Sequence, residues 1–156
     1  MRAVEPVTLE RAPVRLVPLG PEHEVGLKHA AADGALWNLR VTSVPEPEQT
    51  RAYIETALQG RAQGHRFAFA VLDSASGELI GCTSYHDIVP AVERLEIGWT
   101  WLGQEWQRTG INTEAKLLLL KHAFEQLGCV RVEFKTDARN ERSQTALLRI
   151  GATREG

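Results

Sequence analysis

Residues 94–136 read RLEIGWTWLGQEWQRTGINTEAKLLLLKHAFEQLGCVRVEFKT, and this stretch decides the fold. Its first eight residues alternate in polarity, which predicts a strand with four apolar side chains on one face, namely Leu95, Ile97, Trp99 and Trp101. Strong helix formers then fill 113–127 up to Gly128, and 131–136 is typical of a second strand. A strand, helix and strand in this order form a right-handed crossover whose two strands are parallel.

The segments before residue 94 add antiparallel strands and helices. Residues 67–72 and 79–85 flank the turn SASG and predict a hairpin, and 14–19 predicts a short edge strand that Pro18 keeps from further pairing. Helices are predicted over 21–32, over 45–60 and from Asn140 to Gly151. We therefore predict an α/β (α+β) fold with a central mixed, mostly antiparallel twisted sheet sandwiched by helices.

The long helix over 113–127 is expected to lie flat on this sheet. Its spacing favours one apolar face formed by Leu117, Leu120, Phe124 and Leu127. Leu118, Leu119 and Ala123 widen that face.

Composition excludes several classes of protein. The chain has 156 residues with 43% apolar content, which is the size of one domain, 1–156. Eighteen basic and twenty acidic residues give a net charge of −2, so we expect no nucleic-acid partner. No apolar run, including 67–72 and 117–120, approaches the roughly 20 residues of a membrane span, so we expect no membrane span and no signal peptide. Two cysteines and histidines without ligand spacing predict a cytoplasmic protein with no metal.

The segment QRTGINTEA, residues 107–115, joins the central strand to the long helix. Gly110 allows the backbone to approach a ligand, and the amides that follow are the unpaired donors of a helix start. With the helix dipole and Arg108, this junction favours a phosphate group.

These residues resemble the GNAT N-acetyltransferases, whose [QR]-x-x-G-x-[GA] loop holds the pyrophosphate of acetyl-CoA. Gln107, Gly110 and Asn112 occupy the pattern, with Asn112 in place of the usual Gly or Ala. The run from 95 to the closing GATREG, including Asn140-x-x-Ser143, resembles the RimJ/RimL branch. The resemblance covers 13–156 and implies a GNAT fold with acetyl-CoA as the donor.

The resemblance also implies where the donor binds. The pyrophosphate would lie against Gln107, Arg108, Thr109, Gly110, Ile111, Asn112 and Thr113. The pantetheine would follow the first of two splayed parallel strands along Thr100, Trp101 and Leu102, with Asn140 as a hydrogen-bond partner. Lys135, Arg139 and Arg142 would reach the adenosine phosphates, or would be ordinary surface charges.

The implied reaction is direct transfer of an acetyl group from the thioester to a primary amine. It requires a neutral amine, a stabilised oxyanion and a proton for the thiolate. Glu96 is the candidate base, and its alternative role is a strand carboxylate in a salt bridge to Arg94 or Arg131. Ser143 matches a hydroxyl that protonates the leaving thiolate in RimL-like enzymes.

Three aromatic or imidazole side chains are candidates for the acceptor site. Trp37 lies between the first two helices, and Tyr85 and His86 end a strand that points at the same cleft. Packing at the rim is the alternative for Trp37. The acceptor is a small-molecule amine or a peptide amine, such as a ribosomal-protein N-terminus.

The end of the sequence at Gly156 departs from the family pattern, in which a further hairpin completes the sheet. We therefore expect a chain truncated at its C-terminus, with an exposed edge at 131–136. An exposed edge predicts a homodimer or an aggregation-prone monomer. The alternative function is a truncated GNAT domain that binds CoA or a partner chain without turnover.

Overall fold

The computed structural model describes residues 1–39, 43–136 and 140–156. Six strands form one sheet: β1 (Leu9–Arg11), β2 (Val14–Pro18), β3 (Arg66–Asp73), β4 (Leu79–Val89), β5 (Arg94–Leu102) and β6 (Arg131–Glu133). The strands follow one another in chain order. All neighbours are antiparallel except β5 and β6, which are parallel. The predicted mixed, mostly antiparallel sheet is confirmed.

The described residues form four α-helices beside the sheet: α1 (Glu24–Ala32), α2 (Thr50–Ala62), α3 (Ile111–Lys121) and α4 (Glu141–Arg149). Short 3-10 turns that begin at Pro21 and Pro47 lead into α1 and α2, because proline is pre-organised for the first helical turn. α3 continues as a π-helical turn, His122–Gln126, and the chain reverses at Gly128 with a φ of 73°. No helix in the described part of the chain is both long and apolar enough to cross a bilayer.

Two apolar clusters, one on each face of the sheet, form the core. The α3 face buries Phe67, Phe69, Tyr85, Leu95, Ile97, Ile111, Ala115 and Leu119. The α1–α2 face buries Leu27, Ala30, Ile54, Ala57, Ala68, Ala70, Cys82 and Trp101. β3 contributes alternate residues to both clusters because its side chains alternate between the faces.

The face that α3 turns to the sheet differs from the prediction. Leu117 and Phe124, which we expected to be packed, are 39% and 47% exposed. The buried residues recur every fourth position and are Ile111, Ala115, Leu119, Ala123 and Leu127. Four consecutive leucines place apolar side chains all round the helix, so the spacing alone could not select the buried side.

The sheet also begins one strand earlier than predicted. β1 occupies the edge and β2 is paired on both sides, so the prediction of an edge strand at 14–19 was wrong. Pro18 is the last residue of β2, where the missing N–H group disturbs little of the ladder.

Candidate active site

The parallel strands β5 and β6 pair over three residues and then separate. The last register pair joins Glu96 to Glu133, and β5 continues for six more residues to Leu102. The gap forms a cleft of about 1030 Å³, called here the β5–β6 cleft. Its lining comes from 97–102 of β5, from 134–136 after β6, from the start of α3 and from α4.

A bulge interrupts β5 in the middle of this cleft. Gly98 and Trp101 each have a register partner on β4, and between them Trp99 and Thr100 face the single residue Thr83. Trp99 has a φ of +54°, and Thr100 Oγ1 lies 2.8 Å from Thr83 Oγ1. A bulge leaves its extra residue unpaired in the ladder and re-aims side chains.

The bulge also corrects the predicted strand faces. Leu95 and Ile97 both lie on the α3 face of the sheet, but Trp101 packs into the cluster on the opposite, α1–α2 face. Trp99 is 44% exposed in the cleft. The extra residue shifts the side-chain period by one, and alternation in the sequence gave no sign of it.

The loop between β5 and α3 lies at the wide end of the cleft. Gln107 Nε2 donates to the carbonyl of Leu102 at 3.0 Å, which ties the loop to the end of β5. Arg108 and Gly110 have positive φ values of 63° and 87°. A β-carbon at Gly110 would meet nothing within 4 Å, and α3 begins there without a side-chain cap. The first amides of the helix are therefore left for a ligand.

The predicted loop residues divide by position. Gln107, Arg108 and Asn112 line the cleft. Thr109 is exposed and its hydroxyl donates to the carbonyl of Trp106 at 2.5 Å. The residues that line the cleft do not include three further predicted ones, namely Gly110, Ile111 and Thr113. The Ile111 side chain is buried in the core, so this residue can offer only its backbone.

Lys116 is a cleft residue that the sequence analysis missed. Its Nζ donates to Asn112 Oδ1 at 3.0 Å, one helical turn earlier on α3. Both side chains line the cleft. Burial lowers the pKa of Lys116 to about 8. The four-residue spacing from Asn112 places the two side chains on one helix face, and this spacing could have predicted that Lys116 lies in the cleft.

Glu96 is buried in the narrow end of the cleft. It is 5% exposed, and its Oε2 lies 2.5 Å from His86 Nε2. Its Oε1 lies 3.1 Å from Lys135 Nζ. This group of Glu96, His86 and Lys135 is called the cleft triad. The ion pair with Lys135 raises the pKa of the lysine.

The salt bridges that the sequence offered as an alternative for Glu96 go elsewhere. Arg94 Nη1 lies 3.2 Å from Glu133 Oε1, and Arg131 pairs with Glu133 and Glu155. Glu96 does have a cationic partner, but it is Lys135, which follows β6. The expected partners were wrong: Arg94 and Arg131 form the first register pair of β5 and β6, two pairs before Glu96 and Glu133, and both pair with Glu133.

His86 lines the β5–β6 cleft. Burial lowers its pKa, and the neighbouring carboxylate of Glu96 opposes that shift. Ligand atoms of His86, Asp87 and Glu96 lie within 4.8 Å of one another, a spacing that suits a metal ion. Lys135 Nζ lies 3.1 Å from Glu96 and 3.6 Å from Asp87, so an ammonium group already stands beside both carboxylates.

Tyr85 does not reach the cleft, and its prediction as an acceptor residue was wrong. The side chain is fully buried on the α3 face, and its hydroxyl donates to the carbonyl of Leu119 at 2.5 Å. Burial raises the pKa of this hydroxyl. β4 continues to Val89, so Tyr85 is not at a strand end, and alternation turns it away from its neighbour His86.

Trp37 is also not among the described residues that line the cleft. It follows α1 and packs against the apolar cluster on the α1–α2 face. The alternative role in packing fits this position.

α4 begins at the far wall of the cleft. Asn140 Oδ1 accepts a hydrogen bond from the backbone N–H of Ser143 at 3.1 Å, which confirms the predicted helix cap. Asn140, Ser143 and Arg142 all line the cleft. Arg139, the other cation predicted here, lies outside the described residues.

Comparison with known proteins identifies relatives of the chain. Residues 14–153 match the family model of the acetyltransferase (GNAT) domain. YdaF from Bacillus subtilis (strain 168), whose name assigns it provisionally to the ribosomal N-acetyltransferases, is 36% identical over 80 residues. That alignment covers 51% of this chain and 43% of YdaF. The chain spans less than two thirds of the length of the curated relatives it matches.

Two solved structures are similar over almost the whole chain. A GCN5-related N-acetyltransferase from Brucella melitensis is 31% identical with a TM-score of 0.80, covering 98% of this chain and 70% of that one. RimL, a ribosomal L7/L12 alpha-N-protein acetyltransferase in complex with coenzyme A, is 20% identical with a TM-score of 0.84, covering 96% and 86%. The likeness to RimL shows the fold. With the family match over residues 14–153, these findings establish that the chain belongs to the GNAT acetyltransferase domain family.

Proposed function

We propose that this protein is an acetyl-CoA-dependent N-acetyltransferase that transfers the acetyl group directly to a primary amine. The acceptor is a protein N-terminus, such as that of a ribosomal protein, or a small-molecule amine. One observation carries the proposal: the β5–β6 cleft of a GNAT-family chain leads from the uncapped start of α3 to a buried carboxylate, Glu96.

The donor pyrophosphate binds at the start of α3. The backbone amides over 108–113 donate to it, and the positive end of the helix dipole adds favourable charge. Arg108 and Lys116 line the same part of the cleft and supply positive charge. The positive φ of Gly110 supports this role because it lets the loop turn without a side chain above the amides.

The pantetheine arm follows β5 into the cleft. It takes the place that a longer β6 would fill, along Thr100, Trp101 and Leu102. Backbone groups released by the bulge at Trp99 hydrogen-bond the arm and the thioester oxygen. The side-chain amide of Asn140 donates from the opposite wall, since its oxygen alone serves the helix cap.

The chemical step places Glu96 at the acceptor amine. The carboxylate accepts a proton from the ammonium, and the neutral nitrogen attacks the carbonyl carbon. The C–N bond forms and the C–S bond breaks. The Ser143 hydroxyl gives a proton to the departing thiolate and regains one as the attacking nitrogen loses its second proton. Lys135 and His86 hold the carboxylate on two sides and fix its direction. His86 also forms part of the acceptor wall.

Calorimetric titration with acetyl-CoA and with CoA tests the donor site. We expect Gly110→Asp to weaken binding at least tenfold, because it puts a negative side chain above the phosphate-binding amides. Gly64→Asp is the matched control, since Gly64 also has a positive φ, of 79°, and open space at its β-carbon. Equal binding by both variants, or no binding by the folded wild-type chain, would contradict the proposal.

Turnover with a panel of primary amines separates the two functions considered. Product formation supports the acetyltransferase. Tight CoA binding without product from any amine supports instead a CoA-binding domain that lacks turnover.

Two further parts of the proposal concern the oligomeric state of the protein and its cellular compartment. In the described residues β6 has a strand partner on one side only, and we propose that a second copy covers its other side in a homodimer. Cys82 and Cys129 are both free thiols, which suits a reducing compartment such as the cytoplasm.

A further inference from the structure

Arg66 is a buried cation without a carboxylate partner. It is 8% exposed, and its Nε donates to the hydroxyl of Ser84 at 3.2 Å. Its Nη2 has no hydrogen-bond partner in the described part of the chain. No Asp or Glu there lies within salt-bridge distance of it. A buried guanidinium in this state is unfavourable unless something else supplies the missing acceptor.

Two aromatic rings hold this guanidinium. Its carbon lies 4.7 Å from the ring centroid of Trp99 and 5.6 Å from that of Tyr53. Stacking of this kind fixes the plane of a guanidinium and favours bidentate recognition of a carboxylate. Trp99 is the bulge residue that lines the β5–β6 cleft, and it is 44% exposed. The same indole therefore borders both the Arg66 guanidinium and the cleft.

The register of the sheet places Arg66 in line with the base. Arg66 pairs with His86 on β4, and His86 pairs with Glu96 on β5. The three side chains therefore share the α1–α2 face. Two strand spacings, about 10 Å, separate the backbone of Arg66 from that of Glu96. The row presents a carboxylate at one end and a guanidinium at the other.

We infer that Arg66, held between Trp99 and Tyr53, binds a carboxylate on the acceptor while Glu96 receives its amine. This inference rests on the proposed function and names the acceptor class: amines that carry a carboxylate several bonds away, such as peptides with Asp or Glu in the first two positions. The ligand would supply the acceptor atoms that Arg66 Nη2 lacks.

Paired peptides with amidated C-termini test the inference. Each pair differs only by Asp against Asn, at position one or at position two. With acetyl-CoA, we expect the wild-type protein to favour the acid in at least one pair by tenfold or more in kcat/KM. Arg66→Met reduces this preference to less than threefold, and Arg66→Lys gives an intermediate value.

Arg61→Met is the matched control. Arg61 also stacks on an aromatic ring, 4.9 Å from the centroid of Phe67, but Phe67 is buried in the core on the α3 face, whereas Trp99 lines the cleft. Thermal melting and CoA affinity report whether each variant is folded. A preference for the acid that persists in folded Arg66→Met overturns the inference, as does equal use of acid and amide by the wild type.

A binding measurement separates this inference from the proposed function. The same peptides in N-acetylated form are titrated by calorimetry in the presence of CoA, which requires no turnover. Selective binding of acidic peptides that Arg66→Met abolishes supports the carboxylate site even if no amine is acetylated. Equal binding of acid and amide, or selectivity unchanged in Arg66→Met, refutes the carboxylate site and leaves the acetyl transfer to be judged by product formation.

Discussion

At the scale of single residues, Glu96 combines burial with two polar neighbours, His86 and Lys135. We predict that Glu96→Gln lowers kcat about 100-fold, because a general base typically contributes factors of this size. Donor affinity should change little. Steady-state kinetics with a primary amine gives kcat, and calorimetry gives the affinity.

The control for this substitution is Glu133→Gln. Glu133 is the register partner of Glu96 on β6, and its carboxylate pairs with Arg94 and Arg131 outside the cleft. It should keep kcat within about threefold, which fits the small contribution of exposed ion pairs. Similar losses in both variants would mean that Glu96 acts only through the structure of the sheet.

Lys116 carries the pH dependence that this structure predicts for stability. Its pKa is about 8 in the folded chain and near 10.5 when unfolded, so the unfolded state binds the proton more tightly. Burial of the charged Lys116 side chain therefore lowers the free energy of unfolding by its full amount below pH 8. This loss shrinks as the pH rises from 8 towards 10.5. Lys116→Met should therefore raise the free energy of unfolding at pH 7 by about 1–2 kcal/mol and by less at pH 9.5.

Urea unfolding of the wild type and Lys116→Met at both pH values checks this prediction. Subtracting one protein from the other removes the titration of the remaining groups. An equal difference at pH 7 and pH 9.5 would contradict the lowered pKa.

At the scale of elements, the start of α4 has two separable tasks. Asn140 caps the helix with its side-chain oxygen, and its amide nitrogen is the proposed donor to the pantetheine arm. Asn140→Ala should lower stability by about 1 kcal/mol and also weaken CoA binding. Asn140→Asp should keep the stability, because aspartate is an equally good cap, and still weaken binding.

Denaturant unfolding and calorimetry, run on the same two variants, distinguish these effects. CoA binding that survives in Asn140→Asp and falls only in Asn140→Ala would assign Asn140 to the cap alone.

The positions of the strands and helices could largely be predicted from the sequence, but the side that each of them buries could not. The hairpin, the crossover and the helix caps depend on local chemistry, such as the turn SASG and the cap at Asn140. The bulge at Trp99 depends on how β5 meets β4, so period-two alternation continued past it. The buried side of α3 likewise depends on which side the sheet offers.

The candidate site divides in the same way. The loop over 107–112 was recognisable because glycine and helix-start chemistry leave a local signal. Arg66 belongs to a row formed across three strands, and residues 66, 86 and 96 have no relation that spacing in the sequence reveals. Lys135 as the partner of Glu96 was hidden for the same reason.

At the scale of the whole molecule, we propose that the outer side of β6 forms the interface of a dimer. Phe124 and Leu148 are 47% and 57% exposed beside this edge and line a groove of about 610 Å³ with β6. We predict a dimer in light scattering and a shift towards the monomer in Phe124→Lys, because a charge in a paired apolar surface is unfavourable. CoA affinity should be retained, and a wild-type monomer at high concentration would contradict the prediction.

The brief pairing of β5 with β6 has a consequence for how the molecule is held together. In the described part of the chain, three register pairs are all that join β6 to the sheet, so residues 131–156, the last sixth of the chain, have few backbone bonds to the rest. A donor lying in the gap would touch both sides at once and act as a missing strand. The rigidity of β6 and α4 would then depend on the concentration of acetyl-CoA in the cell. The resistance of the protein to proteases, and with it the protein's half-life, would rise and fall with that concentration.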